Sequence, residues 1–419
     1  AEEGTVSSGP LARRLGLGDA VVRGLGSMIG AGIFASFAPA AAAAGSGLLL
    51  GLAIAGVIAY LNASASAQLA AQYPTSGGTY VYGRERLGEW PGFLAGWAFV
   101  IGKTASLAAM ALTFAAYAVP GPWQKPVAVA AVVALAAVNY RGVTRTARLA
   151  RAIVVVVLGA LAVVVASGFA GPTTAPPALA ASGGWYGMLQ SAGLLFFAFA
   201  GYARMATMGE EVREPGRTIP RAILTALAIT LVVYAAVAAT ALGVLGADRL
   251  ATSTAPLVDT VHAAGWGWAE PVVRVGAAAA SLGALLALIA GVGRTSLAMA
   301  RNGDLPRWLA AVHPRYRVPH HAEIAVAVVV SALVLATDLR GAIGFSSFGV
   351  LLYYAIANAA AFTQDATHRR WPRWLQVAGM VGCVVLMGTL PWQSIASGSL
   401  VLAVGVGYRN ISGNRLPKQ

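Results

Sequence analysis

The sequence predicts an all-α, polytopic membrane protein, and three observations carry that prediction. Only 11% of the 419 residues are charged and 58% are hydrophobic, with a mean hydropathy of +0.71. A soluble chain carries about 25% charged residues to keep its surface hydrated. The apolar residues gather into runs of the length that crosses a bilayer, roughly 20 residues for a ~30 Å hydrocarbon layer, and there is room for about twelve of them. The cations, finally, are sorted by side. Soluble enzymes, disordered chains and nucleic-acid binders are excluded on these grounds. The excess of Lys and Arg over Asp and Glu, 29 to 15, reads as membrane topology and not as a nucleic-acid footprint.

In order, the runs fall at 19–44, 47–70, 91–118, 123–140, 150–170, 185–209, 220–245, 268–299, 322–338, 341–364, 373–390 and 392–408. Arg13 and Arg14 precede the first, and Arg84 and Arg86 follow the second. Arg141, Arg145, Arg148 and Arg151 separate the fourth from the fifth, and Arg213, Arg217 and Arg221 follow the sixth. Arg301, Arg307, Arg315 and Arg317 follow the eighth, and Arg369, Arg370 and Arg373 the tenth. All these gaps lie on the side of the N-terminus. The opposite gaps hold little beyond Lys125, Arg249 and Arg340. An even number of spans with both termini cytoplasmic follows, in a cytoplasmic (inner) membrane. The opening residues AEEGTVSSGP lack the basic-then-apolar order of a signal peptide, and the single Cys383 excludes a disulfide framework. Segment 248–266 is expected to form short extracellular helical turns, and 302–321 a Pro-bounded cytoplasmic loop with a short amphipathic piece.

Two spans are interrupted. The first holds Gly24, Gly26, Gly30 and Gly32 within nine residues, roughly 10–20 Å from its start near Asp19 at 1.5 Å per residue. The sixth carries Phe196-Phe197-Ala198-Phe199-Ala200-Gly201-Tyr202 at a similar depth while running the other way. Interruptions in corresponding spans of two halves point to a transporter site, because unwound backbone offers N–H groups to a carboxylate and carbonyls to an ammonium. Small residues spaced as Gly26 and Gly30 are also what close helix packing uses. Both readings stand at this point.

The motifs GSMIGAGIF (26–34), YPTSGGTYVYGRERLGEWPGFLAGW (73–97), FFAFAGYARMATMGEEVREPGRTIPRAI (196–223), MARNGDLPRWLAAVHPRYRVP (299–319) and SFGVLLYYAIANAAAF (347–362) resemble, in order, those of amino acid–polyamine–organocation permeases. The resemblance implies a leucine-transporter-like fold. After a cytoplasmic tail (1–18) come five helices (19–170) and their inverted repeat (185–364). Helices 11 and 12 (373–408) and a second tail (409–419) complete it, with helices 1 and 6 broken at mid-membrane. It also implies alternating access with an α-amino acid or related amine as cargo. Carried over by position, Ala31 and Gly32 next to Gly30 would offer backbone to the cargo carboxylate. The carbonyls of Met28 or Ile29 and of Phe197 and Ala200, beside Gly201, would receive the ammonium. Phe199 and Tyr202 would be an aromatic wall or gate.

The sequence departs from that pattern at two places. Many relatives carry an acidic residue two positions beyond the sixth-helix glycine, where this chain has Ala203 followed by Arg204. Many carry a fifth-helix lysine, where it has Val157. Lys103, in the third span, is the candidate replacement on its own chemistry. It lies about 18 Å into the third span counted from Pro91. A cation there costs about 2.5–3.5 kcal/mol even on a lenient insertion scale, and an ionisable group at that depth is a functional hypothesis. Its roles are proton coupling, cargo contact, or simple ordering of the core. Ser281 in the eighth span is a further candidate, since serines there line a sodium site in fold relatives. Glu210 and Glu211 with Arg213 and Arg217 are expected at a cytoplasmic charge cluster or gate with Arg84 or Arg301. The five histidines stand in loops without metal-ligand spacing, so no metal or cofactor is expected, and no phosphate-binding loop is present.

The function expected is secondary transport of amino acids, proton-coupled or exchanging, with polyamines or cationic amino acids as the alternative cargo. No enzymatic role is expected, because no convergent catalytic set lies at depth. The expected partners are the small-molecule amino acid, the lipid bilayer and a candidate coupling proton, and not nucleic acid.

Overall fold

The computed structural model describes residues 15–413 apart from 76, 143–146, 173–182, 203–204 and 206–211. Its elements are helices: α1 (Leu17–Met28), α2 (Ala31–Ala35), α3 (Phe37–Ala44), α4 (Leu48–Gln72), α5 (Gly78–Leu87), α6 (Glu89–Ala118), α7 (Gln124–Tyr140), α8 (Ala147–Ala170) and α9 (Gly184–Phe199). There follow α10 (Pro215–Leu245), α11 (Ala247–Thr252), α12 (Pro256–Ala263), α13 (Glu270–Arg301), α14 (His320–Ala336), α15 (Leu339–Phe362), α16 (Arg373–Thr389) and α17 (Trp392–Gly413). Helix ends obey local chemistry. Gly88, at φ 111°, closes α5 and opens α6, a conformation that a side chain would resist. The Asp338 carboxylate accepts from the Gly341 N–H at the start of α15. The expected extracellular turns are α11 and α12, and the Pro-bounded loop holds a 3-10 turn at Arg307–Ala310.

Each of the twelve apolar runs contains a helix, but eight helical stretches among the described residues are long and apolar enough to cross a membrane unaided. The sixth run is interrupted at Phe199 and α14 has only 17 residues. Helices α16 and α17 meet at a 112° bend and pass the same test only together, giving up to nine. The all-α membrane architecture with a broken first span is as expected, and not all of the twelve expected spans pass this test by themselves. The break in the first span removes its helical continuity, as four glycines in nine residues suggested.

The helices pack in two groups. In one, α4 packs against α9 and α10, and α1 against α10. In the other, α6 packs against α13, α15, α14 and α7. Outward faces carry apolar side chains such as Val155, Val232 and Val328, with Phe169 89% exposed, the surface a hydrocarbon solvent requires. Between α4, α15 and α16 runs a buried polar ladder. Asn358 Nδ2 donates to Asn62 Oδ1 at 2.7 Å, and Cys383 Sγ donates to the same oxygen at 3.3 Å. Gln68 Nε2 donates to Gln364 Oε1 at 2.7 Å, and Gln364 Nε2 to Gln72 Oε1 at 2.6 Å.

Away from water each such group needs its partner. Asn62→Ala removes an acceptor from the Asn358 amide, which keeps the Tyr354 carbonyl, and from the Cys383 thiol, and is expected to lower stability by about 1–3 kcal/mol. The thermal unfolding midpoint in detergent reads this, and an unshifted midpoint would show that the ladder carries no stability.

Candidate functional site

The site is built where two helices stop being helices. Helix α1 ends at Met28. Ile29 (φ −82°, ψ 75°) leaves helical geometry while its N–H still donates to Leu25, and the Gly30 N–H turns back onto the Met28 carbonyl at 2.9 Å. Gly30 is extended (φ −122°, ψ −141°), and α2 resumes at Ala31. On the other side α9 ends at Phe199 and passes into a 3-10 turn, Ala200–Tyr202.

The two interruptions press against each other backbone to backbone. A Cβ on Gly201 would lie 1.9 Å from the Ser27 carbonyl oxygen, and one on Gly32 would lie 2.6 Å from Ala198 Cα. Gly30 is looser, with Ala284 Cβ at 3.4 Å. Close packing therefore does use these glycines, but through Gly32 and Gly201 and not through the Gly30 spacing. The approach is so close that both unwound segments face one another directly.

Three side chains serve the freed carbonyls. The Tyr234 hydroxyl of α10 lies 2.6 Å from both the Met28 and the Ala198 carbonyl oxygens, so its single proton is shared between the two broken helices. Tyr354 of α15 donates to the Ala200 carbonyl at 3.2 Å. Lys103 Nζ donates to that same carbonyl at 3.3 Å. Sequence reasoning placed Lys103 at mid-depth without a partner; the partner is the backbone oxygen expected to receive the cargo's ammonium. Among the described residues Lys103 forms no ion pair.

The remaining expected residues fall around this point. Ala31, Gly32 and Ile29 are buried, and Phe197 is nearly so. Phe199 packs edge-on against Tyr234 at 5.0 Å, and Tyr202 stacks on Tyr354 at 4.8 Å. Tyr117 donates to the Phe34 carbonyl at 2.7 Å and so fixes α2 from α6. Ser281 lies on α13 beside Ala280, whose carbonyl comes near Gly30. Its buried hydroxyl has no hydrogen-bond partner among the described residues, although most membrane serines bond their own helix. Val157 is buried and apolar. Ala203, Arg204, Glu210 and Glu211 lie outside the described residues.

One group was overlooked in the sequence. Asp304, 3% exposed, follows α13 and accepts from the Tyr80 hydroxyl at 2.5 Å and Arg84 Nη1 at 3.2 Å, and it pairs with Arg409. Arg409 also reaches Glu89 at 3.3 Å and lies over the Trp90 and Phe93 rings. Burial, with the Asp304 hydrogen bond, pushes the Tyr80 hydroxyl up to about 12, so it remains a donor. This clasp joins α5, α6, α13 and α17. Arg84 thus pairs with Asp304 here, while its expected partners Glu210 and Glu211 lie outside the described residues.

A family model described as "Amino acid permease" matches residues 15–411. An uncharacterized transporter of Mycobacterium tuberculosis is 62% identical over 399 residues, covering 94% of this chain and 90% of that protein. A branched-chain amino acid permease of Bacillus subtilis is 24% identical, covering 94% and 92%. A chloroplastic cationic amino acid transporter of Arabidopsis thaliana is 27% identical, covering 94% and 73%.

Because Gly201 rests on the Ser27 carbonyl, Gly201→Ala is expected to push the two broken helices apart. Loss of cargo binding by at least tenfold, with a folded monodisperse protein on gel filtration, is the expected result. Wild-type binding would count against the close approach as a feature of the site.

Proposed function

The chain belongs to the amino acid permease family, and on that premise we propose that it is a secondary active transporter of amino acids working by alternating access. The observation that carries this reading is the facing pair of helix interruptions, with a lysine ammonium already seated on the carbonyl of Ala200. That point accepts a cationic nitrogen. The cargo's ammonium takes the Ala200 carbonyl, and its carboxylate takes the backbone N–H groups of Ala31 and Gly32. Phe199 and Tyr202 form the aromatic wall around the side chain, and Ser281 offers a further polar contact from α13.

Cargo with a neutral side chain fits better than a cation. The buried carboxylates among the described residues, Asp304 and Glu323, lie away from the two breaks, so no acid there receives a cationic side chain. One family relative is named for branched-chain and another for cationic amino acids, so both classes occur among the family's transporters. For this chain the lack of such an acid among the described residues favours the first. A proton or a second amino acid drives the cycle.

The two five-helix halves, 19–170 and 185–364, form an inverted repeat around the site, and both termini face the cytoplasm in the inner membrane. In that orientation the Asp304 clasp closes the cytoplasmic side, and opening inward requires Arg84 and Arg409 to release it. Asp304→Asn leaves both guanidinium groups without their carboxylate and favours the inward-open form. In inside-out vesicles, an impermeant maleimide is expected to label a cysteine introduced as Ser27→Cys several-fold faster in the Asp304→Asn background. Cys383 is buried and contributes little background. Equal labelling rates would remove the clasp from the gate.

Counterflow in proteoliposomes tests the main reading without assuming a coupling ion. Vesicles loaded with one unlabelled amino acid are expected to accumulate the same labelled compound when its side chain is neutral. Accumulation of polyamines alone would favour the alternative cargo, and flat traces for every compound would remove the transport reading.

A further inference from the structure

Resting on the transport reading of the same helix breaks, the position of Lys103 identifies how cargo binding is tied to a proton. The Ala200 carbonyl has two donors, Lys103 at 3.3 Å and Tyr354 at 3.2 Å. Both bonds are long. The Met28 and Ala198 carbonyls, by contrast, lie 2.6 Å from the Tyr234 hydroxyl, whose single proton they share. Of the acceptors freed by the two breaks, Ala200 is thus the one whose donors are readily exchanged. A cargo ammonium arriving there meets an ammonium already in place, and two like charges on one acceptor in a dry interior repel.

Among the described residues, the surroundings give Lys103 no counter-charge. Helix α15 brings Tyr353 and Tyr354, and the turn after α9 brings Tyr202. Helix α13 has Glu270 and Arg274 at one end and Arg294 and Arg301 at the other, and α14 has Glu323 in its first turn. Helix α7 carries Lys125 and Tyr140 at opposite ends, α5 carries Tyr80, Tyr82, Arg84, Glu85 and Arg86, and α17 carries Tyr408 and Arg409. None of these forms an ion pair with Lys103. Among the described residues the Lys103 ammonium has the Ala200 carbonyl as its hydrogen-bond partner, and one carbonyl supports one cation better than two.

We propose that Lys103 is a tethered stand-in for the cargo's ammonium, which cargo binding displaces with release of one proton to water. The exchange balances. Lys103 gives up one N–H proton to water and becomes a neutral amine, and the zwitterion brings its own ammonium to the Ala200 carbonyl. The charge beside that carbonyl is the same before and after. One proton leaves for each cargo bound, which couples cargo and proton as exchange partners. Acid strengthens the competitor: as pH falls Lys103 keeps its proton and cargo binds more weakly.

Calorimetric titration of the purified full chain tests this, using an amino acid scored positive in counterflow and two buffers of different ionisation enthalpy. The wild type is expected to release one proton per cargo bound. Its affinity should weaken up to tenfold per pH unit on the acidic side of the range from about pH 6 to 9. Lys103→Met is expected to bind the same amino acid with no proton release and no pH slope. Lys103→Arg, whose guanidinium keeps its proton, serves if Lys103→Met fails to fold. It is expected to bind at least tenfold more weakly and to release no proton. A Lys103→Met protein that still releases one proton, a wild type that releases none, or a Lys103→Arg protein that binds as tightly as wild type overturns the proposal while leaving transport intact. Absence of counterflow for every amino acid removes the transport reading itself, and this proposal with it.

Discussion

The constraint on which this structure depends is that a peptide carbonyl freed by a broken helix, inside a bundle of apolar helices, must find a donor other than water. Two breaks face each other, and the carbonyls of Met28, Ala198 and Ala200 are served by long side chains reaching in from other helices. Tyr234 comes from α10, Tyr354 from α15 and Lys103 from α6. Each of these side chains is almost all stem: a ring or four methylenes pack in the core and only the tip is polar. Glycine supplies the complementary requirement. Without Gly32 and Gly201 the two breaks could not touch, and the donors would have to span a wider gap.

Charge is handled differently at the two places where it is buried. Asp304 is surrounded by two arginines and a tyrosine hydroxyl, so its charge is compensated at once, and removing the carboxylate would leave two cations facing each other. Among the described residues Lys103 has a carbonyl dipole as its partner. A carbonyl compensates a full charge incompletely, so the lysine is the less settled of the two groups. An exchangeable site benefits from that imbalance, whereas a clasp benefits from the opposite.

Much of this was legible in the sequence. Low charge and long apolar runs gave the membrane class, and the cluster Gly24, Gly26, Gly30 and Gly32 marked the first break because four glycines in nine residues weaken a helix. Lys103 was visible by depth alone. Its partner was not, since a backbone carbonyl has no residue type to read. The choice of Gly32 and Gly201 over the Gly26–Gly30 spacing depends on which surface α9 presents to α1, a tertiary fact. Asp304 lay within a loop stretch read only as a motif, and its partners Arg84 and Arg409 stand 220 and 105 residues away in sequence. Tyr234 and Tyr354 passed as ordinary apolar residues. Yet a tyrosine in mid-span needs an acceptor for its hydroxyl, a signal that could have placed both near unwound backbone.

The lengths of these bonds also separate what holds from what yields. The 2.6 Å contacts of Tyr234 lie within one packing group, joining α10 to α1 and α9. The 3.2 and 3.3 Å contacts to Ala200 cross from the other group, from α15 and α6. Of the bonds that serve the freed carbonyls, those that cross between the groups are thus the longer ones. The two broken helices travel together because one hydroxyl ties them, and the Ala200 carbonyl is the acceptor whose donors change. Cargo that replaces Lys103 there replaces a bond between the groups. Occupancy of one carbonyl thereby bears directly on how tightly the two halves of the packing are joined.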